Sequence, residues 1–263
     1  MPETLTIEVS GPVARLTLNR PDVHNAMNQQ MVQELLTYFT EIQDSRAIRV
    51  VVLAAAGKTF CAGGDIKDMT ASFSMPFEQQ VEEMMRVDSM LQTIATAPQV
   101  TITRIQGTTM GGGMGLVAAT DISIASESAK FGLPEVRLGV APALISPYVI
   151  ARLGISRARQ LMLTGRRFNA QQALEYGFVH EICSDDELDK HVNATVGDVL
   201  KCAPNALAET KKLIDYVTSR SLPESSSYRA ELITRLRSGE EGQEGMMAFV
   251  QKRKPSWDET QPG

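Results

Sequence analysis

The stretch QVTITRIQGTTMGGGMGLVAATDISIAS, residues 99–126, decides how this chain folds. It begins as an apolar, β-branched run, which suits a buried strand. Four glycines then fall within five positions, at Gly111, Gly112, Gly113 and Gly115, and a small apolar run opens a helix. DISIAS reads as a short second strand. The order places bare backbone N–H groups at the carboxyl end of a strand and at the N-terminus of a helix. The partial positive charge there favours an anion or a developing oxyanion. Glycines at a strand–helix junction also serve close packing alone, and that alternative stays open. GMGLVA, residues 113–118, fits a GxGxxA dinucleotide fingerprint. However, the glycines do not follow directly on the strand, and no acidic residue ends a second strand at the expected distance. No GxxxxGK[ST] motif is present.

Outward from this stretch the chain repeats one plan. LTIEV and VARLTLN alternate about SGP and read as a hairpin. Residues 25–45 read as a helix that Asn25 can cap, with Met31, Leu35, Phe39 and Ile42 on one face. IRVVVLAAAG is a continuous apolar strand, and a second glycine-rich loop, GKTFCAGGDIKDM, follows it. Residues 76–97 form a second amphipathic helix, with Phe77, Val81, Met84 or Met85, Leu91 and Ile94 on one side. PYVIARLGISRARQLMLTG is helical, and NAQQALEYG carries a capping box at Asn169 and Gln172 and a stop at Gly177. From Asp185 onward the pattern is helical only, broken at Pro204 and Pro223. The architecture is therefore strand–strand–helix units followed by helices.

The 263 residues suffice for one sizeable core. A formal charge of −5 argues against a nucleic-acid partner, whose phosphates call for a basic face. Three cysteines without a CxxC pair suit free thiols in a reducing compartment. The start has no basic segment leading into an apolar one, and no apolar run approaches the roughly 20 residues of a membrane span. A cytoplasmic protein is the expectation. No cluster has metal-ligand spacing, so no metal is expected.

In AKFGLPEVRLGVAPA, residues 129–143, Glu135 follows Pro134 among apolar residues. A carboxyl group in such a setting has a raised pKa and exchanges protons near neutrality, whereas most loop glutamates are simply exposed. Cys61 reads as a packing residue, since no His or Asp motif accompanies it. Met69, Met75, Met84, Met85 and Met90 are either core or an adaptable wall for a long acyl chain.

LTLNRPDVHNAMN, AGKTFCAGGDIKDM, IQGTTMGGGMGLVAATDISIAS, AKFGLPEVRLGVAP, LTGRRFNAQQALEYGFVHEI and EGMMAFVQKRKPSW occur in this order along nearly the whole chain. Together they resemble the crotonase, or enoyl-CoA hydratase/isomerase, superfamily. The resemblance implies an α/β fold: a crotonase (ClpP-like) spiral of ββα units over residues 1–190, and a C-terminal helical trimerisation region over 191–263. It implies a homo-oligomer, commonly a dimer of trimers, and an acyl-CoA thioester as substrate rather than a bound cofactor. By position, the N–H groups of Gly64 and Gly112 form the oxyanion hole, flanked by Gly111 and Gly115, with Glu135 after Pro134 as acid or base. Asp22 to Ala26, with His24 among them, would line the CoA groove with Ala62, Asp65, Ile66 and Lys67. Phe249 and Lys252 would reach the CoA of a neighbouring subunit.

One position departs from the family pattern. Hydratases of this family pair two glutamates around a water, and Gly115 stands where the first belongs. EVRLGVAPALISPYVIARLG, residues 135–154, is similar to bacterial hydratases of branched glutaconyl-CoA esters, 3-methylglutaconyl-CoA and isohexenylglutaconyl-CoA, in leucine and acyclic-terpene catabolism. Small residues replace the first glutamate there too. Gly115 would then make room for the substrate's branch or its free carboxylate. Two other readings remain: an isomerase with Glu135 as single base, and a non-catalytic acyl-CoA-binding relative.

Overall fold

A computed structural model describes residues 2 to 258. Three turns of ββα, with a fourth strand pair behind them, build the core. They run β1 (Leu5–Ser10), β2 (Val13–Leu18) and α1 (Gln29–Glu41). Next come β3 (Val50–Ala55), β4 (Thr59–Cys61), α2 (Ile66–Ala71) and α3 (Phe77–Ala95). Then follow β5 (Val100–Ile105), β6 (Thr108–Met110) and α4 (Gly112–Ala119). The last pair is β7 (Ile122–Ser126) and β8 (Lys130–Gly132). After it come α5 (Ser146–Thr164), β9 (Arg167–Asn169), α6 (Ala170–Glu175), β10 (Glu181–Cys183) and α7 (Leu188–Leu200). The chain ends in α8 (Pro204–Thr218), α9 (Ser226–Ser238) and α10 (Glu240–Val250).

The hairpin β1–β2 and the first strands of the later pairs enter one sheet, ordered β1-β2-β3-β5-β7-β10, and the second strands of the later pairs enter another with β9, ordered β4-β6-β8-β9. Successive units therefore stack as a spiral, parallel from β2 to β3, β5 and β7. Both faces of the large sheet are covered, as its continuous apolar strands require. Leu16, Leu18, Val51 and Leu53 meet α1, α3 and α4. Val50, Val52, Ile102 and Ile124 meet Leu188, Val192, Val196 and Val199 of α7 on the other side. α7 thus carries the chain across positions 190 and 191 while packed on the sheet.

Three details differ from the sequence reading. Asn28, not Asn25, caps α1, through a 3.0 Å bond from Met31 N–H. Asn25 is wholly buried, and its side chain accepts from Arg20 N–H and donates to Ala56 and Thr59 carbonyls. In α3 only the second half enters the core, with Met90, Leu91 and Ile94 buried. Phe77, Val81, Met84 and Met85 stay exposed, because core packing begins only near Val87. The long helix α5 is interrupted at Gly154, whose φ of +69° breaks the turn. Among the described residues no helix is long and apolar enough to cross a membrane.

Candidate active site

The loop after β4 is held from behind by a third strand-like segment. Ala62 N–H donates to His24 carbonyl at 3.0 Å, Met27 N–H to Gly63 carbonyl at 2.8 Å, and Asp65 N–H to Met27 carbonyl at 2.8 Å. A peptide is planar, with its C=O and N–H opposed. Tying Gly63 carbonyl to Met27 therefore aims Gly64 N–H the other way, where no acceptor among the described residues meets it. Gly63 has a φ of +103°, and a Cβ there would stand 3.2 Å from Met110 carbonyl. Glycine is needed to let the two loops meet.

The second loop is aimed by the same device. Gly111 carbonyl accepts from Met114 N–H at 2.8 Å and Gly115 N–H at 3.3 Å. Gly112 N–H therefore points away from the body of α4, as one of the free donors at a helix start. The Gly64 nitrogen lies 3.7 Å from where a Gly112 Cβ would be, so the two donors converge. Gly113 sits directly against Cys61, which brings β4 and the start of α4 together. Cys61 is fully buried and its thiol is pushed up to about 12 by burial, which fits packing rather than nucleophilic work.

Glu135 opens a 3-10 turn, Glu135–Leu138, with Pro134 at its cap. Its carboxylate lies against Gly111: a Cβ there would stand 3.1 Å from Glu135 Oε1. Gly111 has a φ of +50°, and its N–H donates to Gly132 carbonyl at 3.0 Å, tying it to β8. Glu135 Oε2 is buried, and among the described residues it is the one buried carboxylate oxygen without a hydrogen-bond partner. Burial holds the carboxyl above its ordinary range, against the opposing pull of its own amide. Two N–H groups without acceptors among the described residues and one buried, unpartnered carboxyl oxygen thus share one small region. Such a set can hold a carbonyl oxygen as it gains charge and move a proton on the adjacent carbons.

Other expected residues fall into place unevenly. His24, in the left-handed region at φ +57°, is exposed, with Nδ1 3.3 Å from Thr59 Oγ1. Ala62, Ile66 and Lys67 are exposed beside the first loop, while Ala26 is buried and its carbonyl accepts from Arg20. Phe249 and Lys252 are exposed at the end of α10.

Two expectations need correction. Asp65 does not line a groove. It is 7% exposed, its carboxylate accepts from Arg20 Nη1 at 2.9 Å, and it caps α2 by accepting from Lys67 N–H. Burial would raise its pKa, but Arg20 and the amide hydrogen bonds outweigh that and hold it low. Gly115 does not open space for a substrate either. Ile145, itself buried, fills the place a side chain at 115 would take, with its Cβ 2.9 Å from that point. The space left by a missing glutamate is packed with hydrocarbon.

Met27 escaped the sequence reading, whereas Met69 was expected as core or as a wall for an acyl chain. Met27 lays its methyl over Gly112, and Met69 Sδ stands 3.2 Å from a Gly64 Cβ position. Of the other methionines, Met90 is core.

A spiral of ββα units with facing glycine amides and one carboxyl defines a class. The family described as enoyl-CoA hydratase/isomerase matches residues 8–260, and this chain belongs to it, within the crotonase superfamily. It is an enzyme of the enoyl-CoA hydratase type, and its substrate is an acyl-CoA. The chain is 32% identical over 257 residues to a probable enoyl-CoA hydratase of Mycobacterium tuberculosis, covering 97% of this chain and 98% of that protein. Among solved structures, Pseudomonas aeruginosa AtuE is similar at a TM-score of 0.95 and 41% identity, covering 98% of this chain and all (100%) of that one. An enoyl-CoA hydratase/isomerase from Marinobacter aquaeolei is similar at 0.94 and 42%, with 98% and 100% covered.

Proposed function

We propose that the protein adds water across the double bond of a branched, carboxylated glutaconyl-CoA thioester. The observation that carries this is Glu135 Oε2, buried and unpartnered beside Gly111, next to the converging N–H groups of Gly64 and Gly112. The thioester oxygen accepts from both amides. Water adds at the β-carbon, an enolate forms, and the α-carbon is protonated, with Glu135 as acid and base. One donor of this kind is worth about 2.7 to 4 kcal/mol and a placed acid or base about 100- to 10,000-fold. The reaction uses no cofactor.

Two features support the carboxylated ester. The segment after Glu135 resembles hydratases of that group. Glycine at 115 also places no carboxylate beside the site, so a second substrate carboxylate meets no like charge there, a repulsion of about 1 to 4 kcal/mol at 4 Å. His24, Ala62, Ile66 and Lys67 flank the CoA. Phe249 and Lys252, exposed on α10, complete the site of a neighbouring subunit in a cytoplasmic homo-oligomer, a dimer of trimers.

A single carboxyl group also favours a second reading. One base suffices to carry a proton between the α- and γ-carbons of an enolised thioester. Mass spectrometry in heavy water separates the two. The panel is crotonyl-CoA, a 3-enoyl-CoA, 3-methylglutaconyl-CoA and an isohexenyl analogue. Gain of one water on the carboxylated esters is the expected result. Double-bond migration without added water would make the enzyme an isomerase.

A further inference from the structure

We propose that Arg20 is a positioning residue for the thioester oxygen, acting through Asp65 on the Gly64 amide; this rests on the oxyanion reading of Gly64 and Gly112. Arg20 precedes the first loop by more than forty residues and touches neither glycine. Its guanidinium reaches across from the end of β2. Nη1 donates to Ala26 carbonyl at 2.5 Å and to Asp65 Oδ2 at 2.9 Å. Both partners adjoin the hydrogen bonds that set Gly64. Ala26 precedes Met27, whose N–H holds Gly63 carbonyl and whose own carbonyl receives Asp65 N–H. Asp65 follows Gly64, and its other oxygen caps α2 through Lys67 N–H. One cation therefore ties the segment behind the loop to the residue just after the donor.

The clamp is built to be stiff. The Asp65 side chain is 9% exposed and that of Arg20 is 21% exposed. The Arg20 backbone is held as well, with its N–H on Asn25 Oδ1 at 2.8 Å and its carbonyl receiving Asn25 N–H at 2.9 Å. Asn25 in turn is tied to Ala56 and Thr59 carbonyls at 2.8 Å each. His24 and Asn25 both adopt positive φ, a conformation ordinary residues keep only where their surroundings impose it. An oxyanion donor acts by direction, so a loop that turns by a fraction of an ångström loses the bond where charge develops. Arg20 and Asp65 thus supply the rigidity that glycines 63 and 64 lack.

The test uses the full-length protein and 4-(dimethylamino)cinnamoyl-CoA, whose conjugated thioester absorbs further to the red when its carbonyl is polarised. Arg20→Met, Arg20→Lys, Asp65→Asn and the double variant Arg20→Met/Asp65→Asn are compared with the parent. The Asn variant keeps an oxygen for Lys67 N–H and loses only the ion pair, so it carries the test if Arg20→Met fails to fold. Each clamp variant is expected to bind the probe with a reduced red shift. kcat should fall about 10- to 100-fold, since misplacement of the order of 1 Å costs up to about 100-fold. KM should stay within about threefold, the pattern of an interaction made in the transition state. Arg20→Lys should recover part of the shift, and the double variant should lose no more than the worse single one.

Folded Arg20→Met and Asp65→Asn proteins with the parent's red shift and kcat would overturn the proposal. Lowered thermal stability with an unchanged shift would do the same and leave a plain structural ion pair. If the parent shifts the probe yet hydrates none of the esters, the hydratase reading falls while the clamp is still read from the shift. If the parent binds the probe without a shift, the oxyanion hole fails and the clamp with it.

Discussion

Replacing Gly115 by alanine sets two known effects against each other. Gly115 lies inside α4, where alanine is favoured over glycine by about 1 kcal/mol. The new methyl would meet Ile145, whose Cγ2 occupies its place and whose Cβ stands 2.9 Å away. Rotation about χ1 moves Cγ2 but not Cβ, so the backbone at Ile145 must shift. Overpacking of this kind costs about 1 to 3 kcal/mol, and an obstruction that includes Cβ belongs at the upper end. The net expectation is a loss of about 2 kcal/mol, or roughly 4 to 8 °C at about 2 to 4 °C per kcal/mol. Ile145→Ala alone should cost about 2 to 5 kcal/mol through the cavity it leaves. In Gly115→Ala/Ile145→Ala the added methyl enters that cavity, so the pair should lose less than the sum of the singles by about 1 to 3 kcal/mol. Urea and thermal unfolding of the four proteins at one protein concentration measure all three numbers. A Gly115→Ala protein as stable as the parent, or additive losses in the double variant, would show that Ile145 does not fill the position.

Four further outcomes are expected. Glu135→Gln should lower kcat at least about 100-fold with little change in CoA-ester binding, and an unchanged kcat in steady-state assays removes Glu135 from the chemistry. Because burial raises the Glu135 pKa in the fold, its favourable contribution to stability is complete below the unfolded value, near 4.5, and is lost as pH rises through the folded value. Thermal melts should therefore show Glu135→Gln gaining on the parent at neutral pH and matching it in acid; a gain confined to acid would contradict the assignment. Gly111→Ala forces a methyl into positive φ, 3.1 Å from Glu135 Oε1, and should cost both stability, by about 1 to 2 kcal/mol, and turnover in paired melts and assays. With iodoacetamide, Cys202 alone should label in the native protein, because Cys61 and Cys183 are buried; mass-spectrometric detection of early Cys61 labelling would contradict this.

Much of the architecture is legible in the text because it follows from local periodicity. Apolar runs such as IRVVVLAAAG can only be strands covered on both faces, and the capping box at Asn169 and Gln172 forms as read. Proline at 204 and the stop before 223 divide the terminal helices. The three-residue strands of the small sheet escape such a reading, since three residues carry no period, and only pairing with distant partners makes them strands. The apolar stripe of α3 shows the limit from the other side. A stripe states that a surface should be covered, and does not say where the chain's own core ends.

The same division runs through the site. Glycines 63, 64, 111 and 112 and Glu135 stand out by residue type, because bare amides after strands and a carboxyl among apolar neighbours carry their chemistry locally. What surrounds them is set across long separations that no local pattern encodes. Arg20 meets Asp65 forty-five residues on, and this turns a presumed groove residue into a buried anchor. Ile145 meets Gly115 thirty residues back, and a gap inferred from a missing glutamate proves to be filled. By itself the sequence determined the long strands, the helices and the candidates for the chemistry, through periodicity and side-chain type. Tertiary structure alone decided which groups face the cleft and which space is empty, because direction and packing arise only when the units close on one another.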